Sequence, residues 1–312
     1  MNFINEYKNI KHNTKKNCII IILSLYYFFI CLRNKMNIGN NISPKYIPDL
    51  SGKFLFMRHG QSLYNQVKEE SRRYNPDLID ASLSEEGIKQ AKSKQEDINK
   101  LDIEKVYVSP YKRALETMIY ALQSNPNADK IIATVNPLIS EIVCSGHDFM
   151  IDLKQTKKKF NMNSPIKIDW SYFDECVKNS KYDENFFFFE NMNLLEEKEK
   201  QKEYLKLKDL YDKGDTEKYK EELGRFLKEN NETYRKYESF KHSYERFEKL
   251  KKYLNEKFKE TINDKNKKVL CVCHSAFINV ATSPIKFSKD EIVESKDNLY
   301  QIQNGEIISL MI

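Results

Sequence analysis

The sequence predicts an α/β fold, with a mostly parallel central sheet flanked by helices on both faces, an antiparallel edge hairpin and a helical insertion. Three observations carry this. Apolar runs of strand length, Lys53–Met57, Lys105–Val108, Ile131–Val135 and Val269–Cys273, alternate with longer stretches of helical period. The first and last of these runs end abruptly at Arg58-His59 and at His274. The chain closes with Asn304-Gly305 between Tyr300–Gln303 and Glu306–Ile308, a two-residue hairpin signal.

Taken in order, residues 36–52 form a linker marked by Gly39, Pro44, Pro48 and Gly52, and the strand 53–58 follows. Leu83-Ser84-Glu85-Glu86-Gly87 opens a helix to about Lys100, with Ser82 or Ser84 as N-cap and carboxylates in the first turn. Lys105–Ser109 is the second strand. Pro110 stands near the first position of the next helix, where its missing N–H costs nothing, and that helix runs to about Gln123. Ile131–Val135 is the third strand.

Residues 177–237 are Lys-, Glu- and Tyr-rich and nearly free of Gly and Pro. Tyr219, Leu223, Phe226 and Leu227 share one helix face, and Leu207, Leu210 and Tyr211 mark another helix before it. This is the insertion, expected to flank or cap the core as a lid. Phe186 to Phe189 demand burial nearby. From Tyr237 to Phe258 aromatic and leucine residues recur every three or four positions, and this helix leads into the strand ending at His274. Ligands of open α/β sheets bind at the carboxyl ends of the strands. His59 and His274 therefore become candidates for one site, although more than two hundred residues separate them.

Composition narrows the function. The chain has 312 residues, is 31% charged and 40% hydrophobic, and carries +6. Seven basic residues against two acidic ones put +5 of that in residues 1–50. The remainder is nearly neutral, so it offers no general basic face for nucleic acid. The six cysteines lack C-x₂-C pairs, which excludes a disulfide framework and a zinc pattern.

Cys18–Leu32 is apolar except for Ser24 and follows Lys11, His12, Lys15 and Lys16. That is the pattern of a signal peptide or signal anchor. No small-residue cleavage site follows, so an uncleaved anchor with the catalytic portion on the lumenal side is expected. Translation from Met36 would instead leave a soluble, cytoplasmic protein.

Four blocks carry the chemistry. Arg58-His59-Gly60-Gln61-Ser62-Leu63-Tyr64-Asn65 fits R-H-G-x-[ST]-x-x-N. Val108–Thr117 contains S-P-x-x-R-A-x-x-T, with Arg113 as its arginine. Asn136–Glu141 places an acid after the third strand. Val272–Phe277 fits V-x-H-[GS]-x-F. In order and in type these blocks resemble the histidine phosphatase superfamily, which includes the phosphoglycerate mutases. Glu238-Ser239, with Arg246 after it, is similar to that family's G-E-S block without the glycine. The resemblance covers roughly residues 53–312 apart from the insertion.

The resemblance implies a metal-independent phosphomonoester hydrolase with a phosphohistidine intermediate. His59 is the implied nucleophile, Glu141 the proton donor, and His274 a donor to the phosphoryl oxygens. Arg58, Arg113 and Asn65 are the implied substrate-binding groups, and Gly60 would let the backbone approach the phosphate. These roles meet what phosphoryl transfer needs: a nucleophile, neutralised oxygens and a proton for the leaving group. Neither a metal nor another cofactor is expected. The implied substrate is a small-molecule or protein phosphomonoester; membrane association through residues 18–32 is expected from the apolar run alone.

In a second branch of the superfamily the acid is an Asp after the second histidine. Ser275 stands there, which favours Glu141, with Asp148 as the alternative. His147-Asp148 also resembles a metal-phosphohydrolase dipeptide, but no partner histidines accompany it. Mutases resemble E-R-H-Y-G after the acid and H-G-N-S at the second histidine, whereas this chain has Glu141-Ile142-Val143-Cys144 and His274-Ser275-Ala276-Phe277. Hydrolysis is favoured over mutase-type transfer. A weakly catalytic phospholigand-binding or scaffold protein ranks third, because Arg58, His59, Arg113, Glu141 and His274 are all residues that chemistry requires.

Overall fold

The computed structural model describes residues 50–68, 75–143, 146–192, 196–229, 238–282, 286–288, 291–294, 301–310 and 312. β1 (Phe54–Arg58) leads through α1 (Leu63–Gln66) to α2 (Glu85–Lys92) and α3 (Gln95–Asn99). β2 (Asp102–Val108), α4 (Lys112–Leu122), β3 (Ile132–Val135), α5 (Leu153–Asn163), β4 (Lys167–Asp169) and α6 (Ser171–Lys178) follow. The insertion contributes α7 (Glu197–Asp212) and α8 (Thr216–Glu229). α9 (Phe240–Lys257) then leads to β5 (Lys267–Cys273), α10 (Ser275–Thr282), β6 (Lys286–Ser288), β7 (Glu291–Glu294) and β8 (Ile307–Leu310).

The main sheet has the order β4-β3-β2-β5-β1-β8. Its first five strands are parallel, and β8 runs antiparallel to β1 at the edge. The period of two along each strand sorts the core into two layers. Leu55, Met57, Val106, Val108, Leu270 and Val272 face Ala114, Leu115 and Met118 of α4. Phe54, Phe56, Tyr107, Val269, Cys271 and Cys273 face Phe247, Leu250 and Leu254 of α9 and Phe277 of α10. A third cluster, built on Phe149, Phe188, Phe189, Tyr204, Tyr219 and Phe226, holds the insertion.

Several expectations are corrected. The stretch 83–100 is two helices, α2 and α3, with Ser84 as N-cap accepting from the Gly87 amide. Pro110 is not inside the next helix. α4 begins at Lys112, and its first amide donates to Oδ1 of Asp80 from another segment. The terminal hairpin is replaced. Gly305 does adopt the left-handed conformation, at φ +74°, but residues 301–303 are not a strand and β8 pairs with β1. The reason lies in competing partners: Ile302 O accepts from Arg58, and Asn304 Nδ2 donates to His59 O. β6 and β7 form a separate two-stranded hairpin. Phe186, Phe188 and Phe189 are buried against the insertion's own aromatic residues, while Phe187 packs on the sheet layer under α4.

Tyr237, Tyr300, Cys144 and the run 18–32 lie outside the described residues. Among the described residues, no helix is long and apolar enough to cross a membrane.

Candidate active site

The strand order brings the two histidines together. β1 and β5 are parallel neighbours with Arg58 opposite Cys273, so the next residue on each is a histidine. The His59 amide donates to Cys273 O at 2.9 Å, and the His59 and His274 ring centroids lie 5.1 Å apart. β2, on the other side of β5, is followed by Ser109, whose amide donates to Val272 O. Arg113, the second residue of α4, reaches the same place.

His59 is 4% exposed, and its Nδ1 lies 2.6 Å from Gly60 O. A carbonyl only accepts, so Nδ1 carries the proton and Nε2 keeps the lone pair. Burial, followed by the charges of Arg113 and Arg58, pushes the His59 pKa well below its ordinary value. The ring is therefore neutral at pH 7, the state a nucleophilic imidazole needs.

His274 is fully buried and also held neutral, by burial first and then by Arg113. Arg113 Nε donates to its Nδ1 at 3.3 Å, and its Nε2 lies 2.7 Å from Ser109 Oγ. Because Arg113 can only donate, Nδ1 is the bare nitrogen and Nε2–H donates to the serine. Arg113 Nη2 also pairs with Asp148 Oδ1 at 3.0 Å. Arg58 donates through Nη1 to Ile302 O, while its buried Nε has no partner among the described residues.

The loop after β1 is locked by close packing. A Cβ on Gly60 would lie 2.4 Å from Gly87 O, and one on Gly87 would lie 2.0 Å from Gln61 O. The glycine was expected to admit phosphate; its demonstrated need is contact with α2. Thr117 Oγ1 accepts from the Gly60 amide. Asn65, expected in the phosphate cradle, is found in a capping box. Its Oδ1 accepts from Ser62 N and Oγ, and its amide donates to Ser62 Oγ.

Glu141 sits on the loop after β3, with Oε1 accepting from the amides of Ile142 and Phe277 at 3.0 and 3.1 Å. Burial raises its pKa to about 7, Asp148 adds to the rise, and Arg113 and the two amides oppose it. A buried ion pair holds this loop from behind. Arg246 donates to the carbonyls of Leu138, Ser140 and Glu141, while Glu238 accepts from Arg246 and from the Val143 amide. Motif matching found Glu238 and Arg246 but no task for them. Ser109, Thr117 and Asp80 were missed as site supports; the first two lie within the matched S-P-x-x-R-A-x-x-T block.

The arrangement therefore gathers a neutral imidazole with a free lone pair, two guanidinium groups and a carboxyl group that titrates near neutrality. Among the described residues, no three His, Cys, Asp or Glu side chains group as metal ligands. This fold and site define an α/β protein equipped for phosphoryl transfer. Residues 54–137 match the model of the histidine phosphatase superfamily (branch 1), a stretch that includes Arg58, His59 and Arg113. Over that stretch the chain is similar to the histidine phosphatase superfamily.

Solved structures similar to the chain include three of note. The mycobacterial glucosyl-3-phosphoglycerate phosphatase is 14% identical, with 81% of this chain and 87% of that one covered and a TM-score of 0.40. The phosphoglycerate mutase from Bacillus anthracis is 15% identical, with 82% and 87% covered and a TM-score of 0.40. The ecdysone phosphate phosphatase from Bombix mori is 13% identical, with 81% and 86% covered and a TM-score of 0.40. No curated protein matches the chain in sequence.

Proposed function

We propose that the chain is a metal-independent phosphomonoester hydrolase that works through a phosphohistidine on His59. The observation that carries the reading is the Nδ1–H···O contact to Gly60, which leaves His59 Nε2 as a free nucleophile beside Arg58 and Arg113. In the first step Nε2 bonds to phosphorus and the ester P–O bond breaks. The leaving alkoxide takes the Glu141 proton. In the second, water attacks the phosphohistidine, the P–N bond breaks, and the Glu141 carboxylate accepts the water's proton. Arg58 and Arg113 neutralise the non-bridging oxygens, a task suited to fixed N–H donors. Mutase-type transfer is disfavoured because the residues after Glu141 and His274 lack the mutase pattern.

The test is hydrolysis of small phosphomonoesters by the purified chain in EDTA. Turnover is expected, together with acid-labile phosphate on the protein that is lost in His59→Ala. Glu141 must be protonated to act, so the rate with poor alkyl leaving groups should fall as pH rises through about 7. For a good leaving group such as p-nitrophenolate, kcat/KM, which reports only the first step, should be insensitive to that titration and to Glu141→Gln. A strict requirement for added Mg²⁺ or Zn²⁺ would exclude the reading.

A further inference from the structure

We propose that Asp148 is a positioning residue that holds the Arg113 guanidinium for the phosphoryl group and brings a negative charge within electrostatic reach of Glu141. The kinetic part of this proposal rests on the phosphatase reading; the structural part does not. The Asp148–Arg113 pair is buried, with side chains 11% and 7% exposed. The guanidinium is fixed on three further sides. It donates to His274 Nδ1 through Nε and to His147 O through Nη1, and it lies 4.7 Å above the Tyr111 ring. Tyr111 in turn donates its hydroxyl to the Asp148 carbonyl. Asp148 therefore grips Arg113 both directly and through the ring beneath it.

The placement of Asp148 is governed by the insertion. Asp148 ends a single 3₁₀ turn, Gly146–Asp148, onto which α8 packs. The next residue, Phe149, is fully buried and stacked on Phe188 at 4.1 Å within the insertion's aromatic cluster. The helical insertion, expected as a lid, thus acts as a buttress for the residue that orients Arg113. Such an ion pair adds directional N–H···O geometry to charge, which is what a phosphoryl clamp needs.

Asp148 also completes the electrostatic surroundings of Glu141. The groups that interact electrostatically with that carboxyl are Arg58 at the end of β1, Arg113 in α4, the Cys273 thiol on β5 and Asp148 on the 3₁₀ turn. The Ile142 and Phe277 amides bond it, and Arg246 holds its backbone carbonyl. Asp148 is the acidic member of this set, opposing the two arginines. This assigns Asp148 a role distinct from the proton donor it was weighed as in sequence.

The experiment is a ¹³C NMR pH titration of the Glu141 carboxyl in the full chain, assigned with Glu141→Gln. Asp148→Asn keeps an oxygen for Arg113 but removes the charge. It should lower the Glu141 midpoint by about one pH unit, in the range a neighbouring charge produces. Asp148→Glu retains the charge and should leave the midpoint near that of the natural chain. In kinetics, Asp148→Asn should lower kcat/KM for both substrates as Arg113 loosens, and should also move the alkaline limb down for an alkyl phosphate but not for p-nitrophenyl phosphate. An unmoved midpoint in Asp148→Asn overturns the proposal. So does an equal, pH-independent rate loss with both substrates, because that is what a purely structural role gives. If the natural chain hydrolyses neither substrate, the phosphatase reading fails, and the titration still decides the role of Asp148.

Discussion

The sheet's carboxyl end and the insertion are both dense in charge, but they use it in opposite ways. At the site, Arg113 and Asp148 are buried and bonded to fixed neighbours. Arg246 and Glu238 form a second buried pair, tied to four backbone groups of the loop bearing Glu141. On the insertion, Lys213–Asp209 and Lys208–Asp212 are ion pairs at i,i+4 on exposed helix faces. Exposed pairs contribute little, whereas removing one member of a buried pair leaves an uncompensated charge. The insertion is held by aromatic packing, with Phe188 stacked between Phe149 and Phe189 and Phe186 edge-on to Tyr204 and Tyr219. Charge at the site serves placement, and charge on the insertion serves solvation.

The sharpest way to break this contrast is Phe188→Ala. Truncating a fully packed aromatic side chain costs about 3–5 kcal/mol. Chemical denaturation should show a loss in that range, since Phe188 is 1% exposed. A loss under about 1 kcal/mol would mean that the aromatic cluster does not hold the insertion. Next in size is Arg113→Lys at the site. Lysine cannot reproduce three directed N–H groups, so kcat/KM for a phosphomonoester should fall about 10²–10³-fold, the scale of one lost transition-state donor. A near-normal rate would reduce Arg113 to a point charge and undo the argument for placement. The smallest effect belongs to Lys213→Ala. Its pair with Asp209 is 66% and 57% exposed, so stability should change by less than about 0.5 kcal/mol. A larger change would erase the difference between the two regions.

Much of the fold was legible in the chain because its signals are local. Apolar runs of strand length marked β1, β2, β3 and β5, and the spacing from Tyr244 to Leu254 marked α9. β4, α5 and α6 went unread. Their segments are short or strongly polar, and Ile168 is the only residue of β4 that is buried. The break between α2 and α3 also escaped, since no proline or glycine announces it. The tail was misread for a different reason. Asn304-Gly305 has turn chemistry, and the turn forms, but Arg58 and His59 capture the residues around it.

What the sequence by itself determined is the set of chemical groups and their address. His59 and His274 each terminate an apolar strand, and any parallel sheet containing both strands puts them at the same end. Tertiary structure alone decided how those groups are used. Pairing of β1 with β5 sets the histidines side by side, and contact with Gly87 explains Gly60. Asn65 turns back to cap its own helix, Asp80 caps α4, and Asp148 reaches Arg113 across thirty-five positions of chain. The physical reason is range. Periodicity and capping chemistry act within a few residues, whereas an ion pair or a close glycine contact depends on segments that meet only after folding.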